Sequence, residues 1–238
     1  IPPAGVLLLA DYGTSTGKAI MSPTYNNDCI ADHIYADVSG NHQADIAFAR
    51  MTAQSESQLA IMVEKMLSYE RQPSINPNFY TNPITAMGWQ TERWFQLCSE
   101  IINGFFQYGL GKSPVRENAI YSGTPGGNWS TATNTTTVVN YFGPSGLGYI
   151  PATSSHLTDW GGNATRVNND INNGALILQH RDHGSETGWS EPDYGTNNLS
   201  GLNNNDLPFV FSVNCLTGKF NYSNETFAEA FHRYPKRA

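Results

Sequence analysis

The chain has 238 residues, a formal net charge of -7 and only 14% charged residues. That length can bury a sizeable core, as one large α/β domain or two small ones. No Lys/Arg run offers the clustered cations that a nucleic-acid partner requires, and the apolar runs are too short to span a bilayer.

Taken in chain order, Val6 to Leu9 is an apolar run of buried-strand length, and Asp45 to Ala49 is a second. The polar Gly/Asn/Asp stretch between them predicts loop. Ser55 and Gln58 form a capping-box pair ahead of Leu59, Met62, Val63, Met66 and Leu67, whose spacing predicts a helix stopped by Pro73 and Pro77. Pro83 to Met87 predicts a strand. Thr91 then caps a second helix with an apolar stripe of Trp94, Leu97, Cys98, Ile101, Ile102 and Phe105. From Ser122 to Asn163 the chain is rich in Gly, Asn and Thr and predicts a long excursion with one short strand at Thr137 to Tyr141. Val167 and Ile171 mark a short helix, Ala175 to Gln179 and Leu207 to Val213 are two buried-strand candidates, and a last helix covers Glu225 to Arg233. Strands alternating with helices predict an α/β fold with a mainly parallel sheet covered on both faces.

Cys29, Cys98 and Cys215 make no disulfide framework and no C-x-x-C pair. Cys98, on a helical apolar stripe, reads as an inert core thiol. The low charge, the 24 asparagines and the six N-x-S/T triplets point to an extracytoplasmic protein, although so asparagine-rich a chain produces such triplets by chance. Both ends read as cut rather than begun.

Three motifs favour ordinary readings. Gly13 to Lys18 follows a strand but is one residue short of a phosphate loop, and Ala19 replaces the magnesium-binding hydroxyl. Asp37, Ser39, Asn41, Gln43 and Asp45 could offer oxygens to calcium, but only two are carboxylates, so a solvated turn is favoured. His180 and His183, three apart on a continuing strand, point to opposite faces and do not chelate zinc.

The strongest arrangement joins two strand ends. Ala175 to Gln179 leads into His183 and Gly184, and Leu207 to Val213 leads into Asn214 and Cys215. Parallel neighbours place both at one sheet edge, where ligands bind. An imidazole there would activate the thiol, and the N–H groups of Gly184 and Cys215 would form an oxyanion hole. A buried cysteine beside a loop histidine is the competing reading, and spacing alone leaves the two level.

The strings His183-Gly184-Ser185-Glu186-Thr187-Gly188-Trp189 and Leu207 to Cys215, 32 residues apart from His183 to Cys215, resemble the gingipain family of caspase-like cysteine peptidases. Phe227 to Ala230 and the segments 45–50 and 55–71 extend the resemblance over most of the chain. It implies a caspase-like three-layer sandwich, Cys215 as nucleophile, His183 as general base and acid, and Gly184 and Cys215 as oxyanion donors. It also implies a substrate pocket that includes Trp189 and Glu186, and a secreted or cell-surface cysteine endopeptidase of bacterial type that cleaves protein or peptide substrates. No cofactor is required, and the family analogy admits structural calcium without assigning ligands.

The chain departs from the family in three ways. The family carries an acid after the strand that here ends near Met87, whereas this chain reads Gly88-Trp89-Gln90. Arginine-specific members place an Asp near the position of Phe95, beside which Arg93 stands here, so a basic preference is not carried over. The family's catalytic unit also extends beyond both ends of 1–238, and Lys236-Arg237 reads as a processing site that would leave a second chain from the same precursor. A transpeptidase using the same Cys-His pair, and an inactive gingipain-like binding module, are the alternatives.

Overall fold

The computed structural model describes residues 4–11 and 32–235; Cys29, the Gly13 to Lys18 segment and Lys236-Arg237 lie outside the described residues. The chain opens with β1 (Gly5–Leu8), α1 (His33–Ala36) and β2 (Ala47–Arg50), and β1 pairs with β2 in a small parallel sheet. Helix α2 (Glu56–Arg71) begins as its capping residues predict, with Ser55 accepting from the Gln58 N–H. The short α3 (Pro77–Thr81) begins on a proline, which costs nothing at a first helical turn whose N–H is unpaired anyway.

β3 (Ile84–Trp89), α4 (Phe95–Gly104) and β4 (Val115–Ile120) follow, then α5 (Thr135–Phe142), α6 (Ala164–Asn173) and β5 (Ile177–Arg181). Three two-residue strands come next, β6 (Gly184–Ser185), β7 (Gly188–Trp189) and β8 (Tyr194–Gly195), then β9 (Phe209–Val213) and α7 (Phe227–Arg233). The main sheet runs β4–β3–β5–β9, and every pairing in it is parallel. All six residues of β3 are buried, as a central parallel strand covered on both faces requires.

Alternation along β3 divides the core. Ile84 and Ala86 pack with Val167, Ile171, Phe227 and Phe231 of α6 and α7. Met87 and Trp89 pack with Leu97, Trp129 and Ile150 on the α4 side. The result is the three-layer caspase-like sandwich that the sequence predicts.

Three local expectations are corrected. Residues 137–141 lie in the helix α5 rather than in a strand; the β-branched run is deceptive because Val138, Val139 and Phe142 share a helical face against the Trp129 cluster. Helix α4 starts at Phe95 with Trp94 as its N-cap, not at Thr91. Its buried face is largely polar: Gln96, Ser99, Glu100 and Asn103 recur at helical spacing, and Ser99 donates to Gln179 while Asn103 donates to Thr85. The predicted stripe is only partly covered, with Phe105 at 41% exposure. β4 is absent from the predicted strands because Arg116, Glu117 and Asn118 interrupt its apolar pattern.

Glu117 bears on stability. It is fully buried, with Arg166 Nη2 3.2 Å away, and burial together with Asp170 pushes its pKa up to about 9. The folded chain therefore keeps a proton that an unfolded chain, titrating near 4.5, has released. The corresponding stability is fully present below pH 4.5 and is lost as pH rises toward 9. Urea unfolding is expected to give a free energy about 2–4 kcal/mol lower at pH 8 than at pH 5, and Glu117→Gln is expected to flatten that slope. A slope unchanged in the variant would remove Glu117 as its cause.

Candidate active site

The order β4–β3–β5–β9 reverses direction between β3 and β5, because β4 lies on one side of β3 while β5 and β9 lie on the other. In an open parallel sheet the crevice at the carboxyl ends of such strands is where ligands bind. Gln90 follows β3 there, Asp182 and His183 follow β5, and Asn214 and Cys215 follow β9.

The last register pair of β5 and β9 is Arg181 with Val213. His183 and Cys215 each stand two positions beyond that pair, in the turns that follow the two strands. The two turns touch. A Cβ on Gly184 would lie 2.8 Å from Asn214 Cγ, so glycine is what allows the histidine turn to close on the residue before Cys215. Cys215 is exposed, and Cys98 is half-buried, with burial pushing its thiol pKa up.

The nucleophile turn is pinned by a polar network that sequence reasoning missed. Asn214 Nδ2 donates to Ser212 Oγ at 2.8 Å and lies 3.0 Å from His180 Nδ1, and Thr217 Oγ1 donates to Asn214 Oδ1 at 2.7 Å. His180 is fully buried, which lowers its pKa to about 3, so the ring is neutral. Its Nε2 bonds the Glu191 carbonyl at 3.1 Å, which puts the proton on Nε2 and leaves Nδ1 to accept from Asn214. Both ring nitrogens are thus occupied.

Trp189 stacks on His180 with centroids 4.1 Å apart, and its indole N–H donates to Ser212 Oγ at 2.8 Å. At 3% exposure the Trp189 ring offers a substrate almost no surface; the structure places it in the core beneath the turn. Glu186 is half-buried, and its carbonyl accepts from the Phe227 N–H at 2.7 Å. The Ala228 N–H donates to the Thr217 carbonyl at 3.0 Å. The first turn of α7 therefore ties the histidine loop to the cysteine loop, using N–H groups that a helix start leaves unpaired.

The His183 ring packs edge-on against Phe95 at 5.0 Å, and the Arg181 guanidinium lies over the Phe95 ring at 4.7 Å. His183 Nε2 lies 3.3 Å from Gln90 Oε1. Asp37 and Asp45 accept from backbone N–H groups of Ser39, Asn41 and His42, as in a solvated turn. No group of three or more His, Cys, Asp or Glu gathers as for a metal ion among the described residues.

Residues 2–238 match the profile of Peptidase family C25. The chain belongs to that family. It is 26% identical to Gingipain R2 of Porphyromonas gingivalis over 97% of this chain and 26% of that protein. It is 24% identical to Lys-gingipain W83 of the same species over 87% of this chain and 10% of that protein. The chain thus spans about a quarter or less of the length of these relatives. The crystal structure of the Arg-specific cysteine proteinase gingipain R superposes with a TM-score of 0.68 at 23% identity, covering 97% of this chain and 44% of that one. The complex of RgpB pro- and mature domains gives a TM-score of 0.67 over 97% and 45%. These likenesses show the fold.

Proposed function

We propose that this C25 chain carries the Cys-His centre of an endopeptidase that cleaves protein or peptide substrates outside the cytoplasm. The observation that carries the reading is the close approach of Gly184 to Asn214, at the ends of two strands in parallel register. Family membership and the exposure of Cys215 support it. No helix is long and apolar enough to cross a membrane among the described residues.

In this reading His183 takes the thiol proton, and Sγ of Cys215 attacks the scissile carbonyl carbon. The resulting oxyanion is held by the N–H groups of Gly184 and Cys215. Imidazolium His183 then passes its proton to the departing amine nitrogen, the C–N bond breaks and a thioester remains. Water, deprotonated by His183, releases the acid and restores the thiol. No step calls on a metal. Glu186 lies on the histidine loop where a substrate side chain would pass, whereas Trp189 acts from beneath by supporting His180 and Ser212.

Iodoacetamide alkylation read by peptide mass tests the centre. Cys215 is expected to react at least tenfold faster than Cys98 at neutral pH, and to slow in His183→Ala. Equal rates at Cys215 and Cys98, unchanged by the substitution, would overturn the reading.

A further inference from the structure

The His183 ring is held by an amide, Gln90, and not by an acid. That amide is itself held. The Tyr121 hydroxyl lies 2.9 Å from Gln90 Oε1 and 2.9 Å from Asp182 Oδ1. Asp182 is buried at 1% exposure and directly precedes His183 in the chain. Gly88 makes room for the set, because a Cβ there would come within 2.5 Å of Asp182 Oδ2 and 2.6 Å of Tyr121 Cε1. The residues directly after β3, β4 and β5 thus form one chain of side-chain contacts that ends on one imidazole.

We propose that Gln90, Tyr121 and Asp182 are positioning residues for His183: the amide holds the ring, the phenol holds the amide, and the buried carboxyl governs where the phenol's proton lies. The chemistry follows from counting protons. Gln90 Oε1 only accepts, so a neutral His183 bonded to it carries its proton on Nε2 and keeps the Nδ1 lone pair free as the base. Tyr121 has one proton and two acceptors at equal distance. A charged Asp182 draws that proton away from Gln90, and a neutral one releases it toward the amide. Asp182 therefore acts on the imidazole through three links, Asp182 to Tyr121, Tyr121 to Gln90 and Gln90 to His183, replacing direct contact with an acid by a buried relay. Burial raises the pKa of Asp182, and that of Tyr121 is raised by burial and by Asp182. The other charged groups facing the set are Glu92 and Arg93 beside Tyr121, and Glu191 beside Asp182.

The inference rests on reading His183 as the base, and the test is chosen so that the two fail separately. Nitrogen-15 NMR of the histidine-labelled chain reports the tautomer and titration of His183 whether or not Cys215 is reactive. The wild type is expected to show the Nε2–H tautomer at neutral pH. Tyr121→Phe is expected to give a mixture of tautomers and about a tenfold slower alkylation of Cys215, the scale of one lost positioning hydrogen bond. Gln90→Glu is expected to raise the pH at which His183 titrates, and Asp182→Asn to lower it. If Tyr121→Phe does not fold, those two variants carry the test. A tautomer and titration identical to the wild type in every folded variant would overturn the proposal. Slow alkylation of wild-type Cys215 with the expected His183 shifts would overturn the peptidase reading and leave the relay standing.

Discussion

Cys215→Ala is expected to lower kcat/KM for cleavage of a quenched fluorescent casein by about four orders of magnitude, with the fold intact. The side chain is exposed at the end of β9, so its removal leaves no cavity and no orphaned polar group. The loss is therefore a loss of chemistry: without Sγ no thioester forms, and the oxyanion donors have only water to assist. Cys98→Ala is the control. Its thiol sits on α4, half-buried and raised in pKa by burial, and its loss should change kcat/KM less than twofold. Equal cleavage by wild type and Cys215→Ala would show that another group is the nucleophile.

The second large effect is on stability. Arg233, 6% exposed, closes α7 onto the amino-terminal part of the chain. Its Nη2 lies 3.0 Å from both Asp11 Oδ2 and Glu229 Oε1, and its Nε donates to the Thr52 carbonyl at 2.8 Å. Arg233→Ala takes the guanidinium away from two buried carboxyls and is expected to cost about 3–5 kcal/mol in urea unfolding. Burial and Asp11 already push the pKa of Glu229 up to about 7, against the pull of Arg233. Adding Glu229→Gln to Arg233→Ala removes one stranded charge, so the double variant is expected to recover part of the loss. Strict additivity would show that the three groups do not act as a unit. Because the start of α7 ties the Glu186 and Thr217 loops together, Arg233→Ala should also slow Cys215 alkylation.

The sheet was legible in the sequence wherever burial on both faces left an apolar run, as at Ile84 to Met87 and Ile177 to Leu178. It was not legible at β4, where Glu117 and Asn118 are buried and the Arg166 that faces Glu117 is brought near only by the fold. Helix α5 misled because Val138 and Val139 favour strands in isolation, while Trp129 and Ile150, in whose cluster they pack, sit in the irregular segments flanking the helix. The His183 and Cys215 pair could be read because each stands two residues after a strand. The residues that hold the pair could not. Gln90, Tyr121, His180 and Asn214 have ordinary neighbours in sequence, and their meaning lies in hydrogen bonds between different strand ends. Trp189 enters from the resemblance as part of a substrate pocket, and in the structure its ring is almost wholly covered.

Strand β9 has one hydrogen-bonded neighbour, β5, among the described residues, and Phe209, Phe211 and Val213 on one of its faces are about half exposed. Among the described residues Cys215 therefore joins the sheet through one ladder, while the Asn214 network and the Ala228 N–H on the Thr217 carbonyl hold the turn beyond it. Opening that ladder would carry the thiol away from the imidazole without unfolding the layers behind β3. Local opening of that ladder together with the turn's own bonds takes less free energy than global unfolding. Amide exchange along Phe209 to Val213 would time the working site itself.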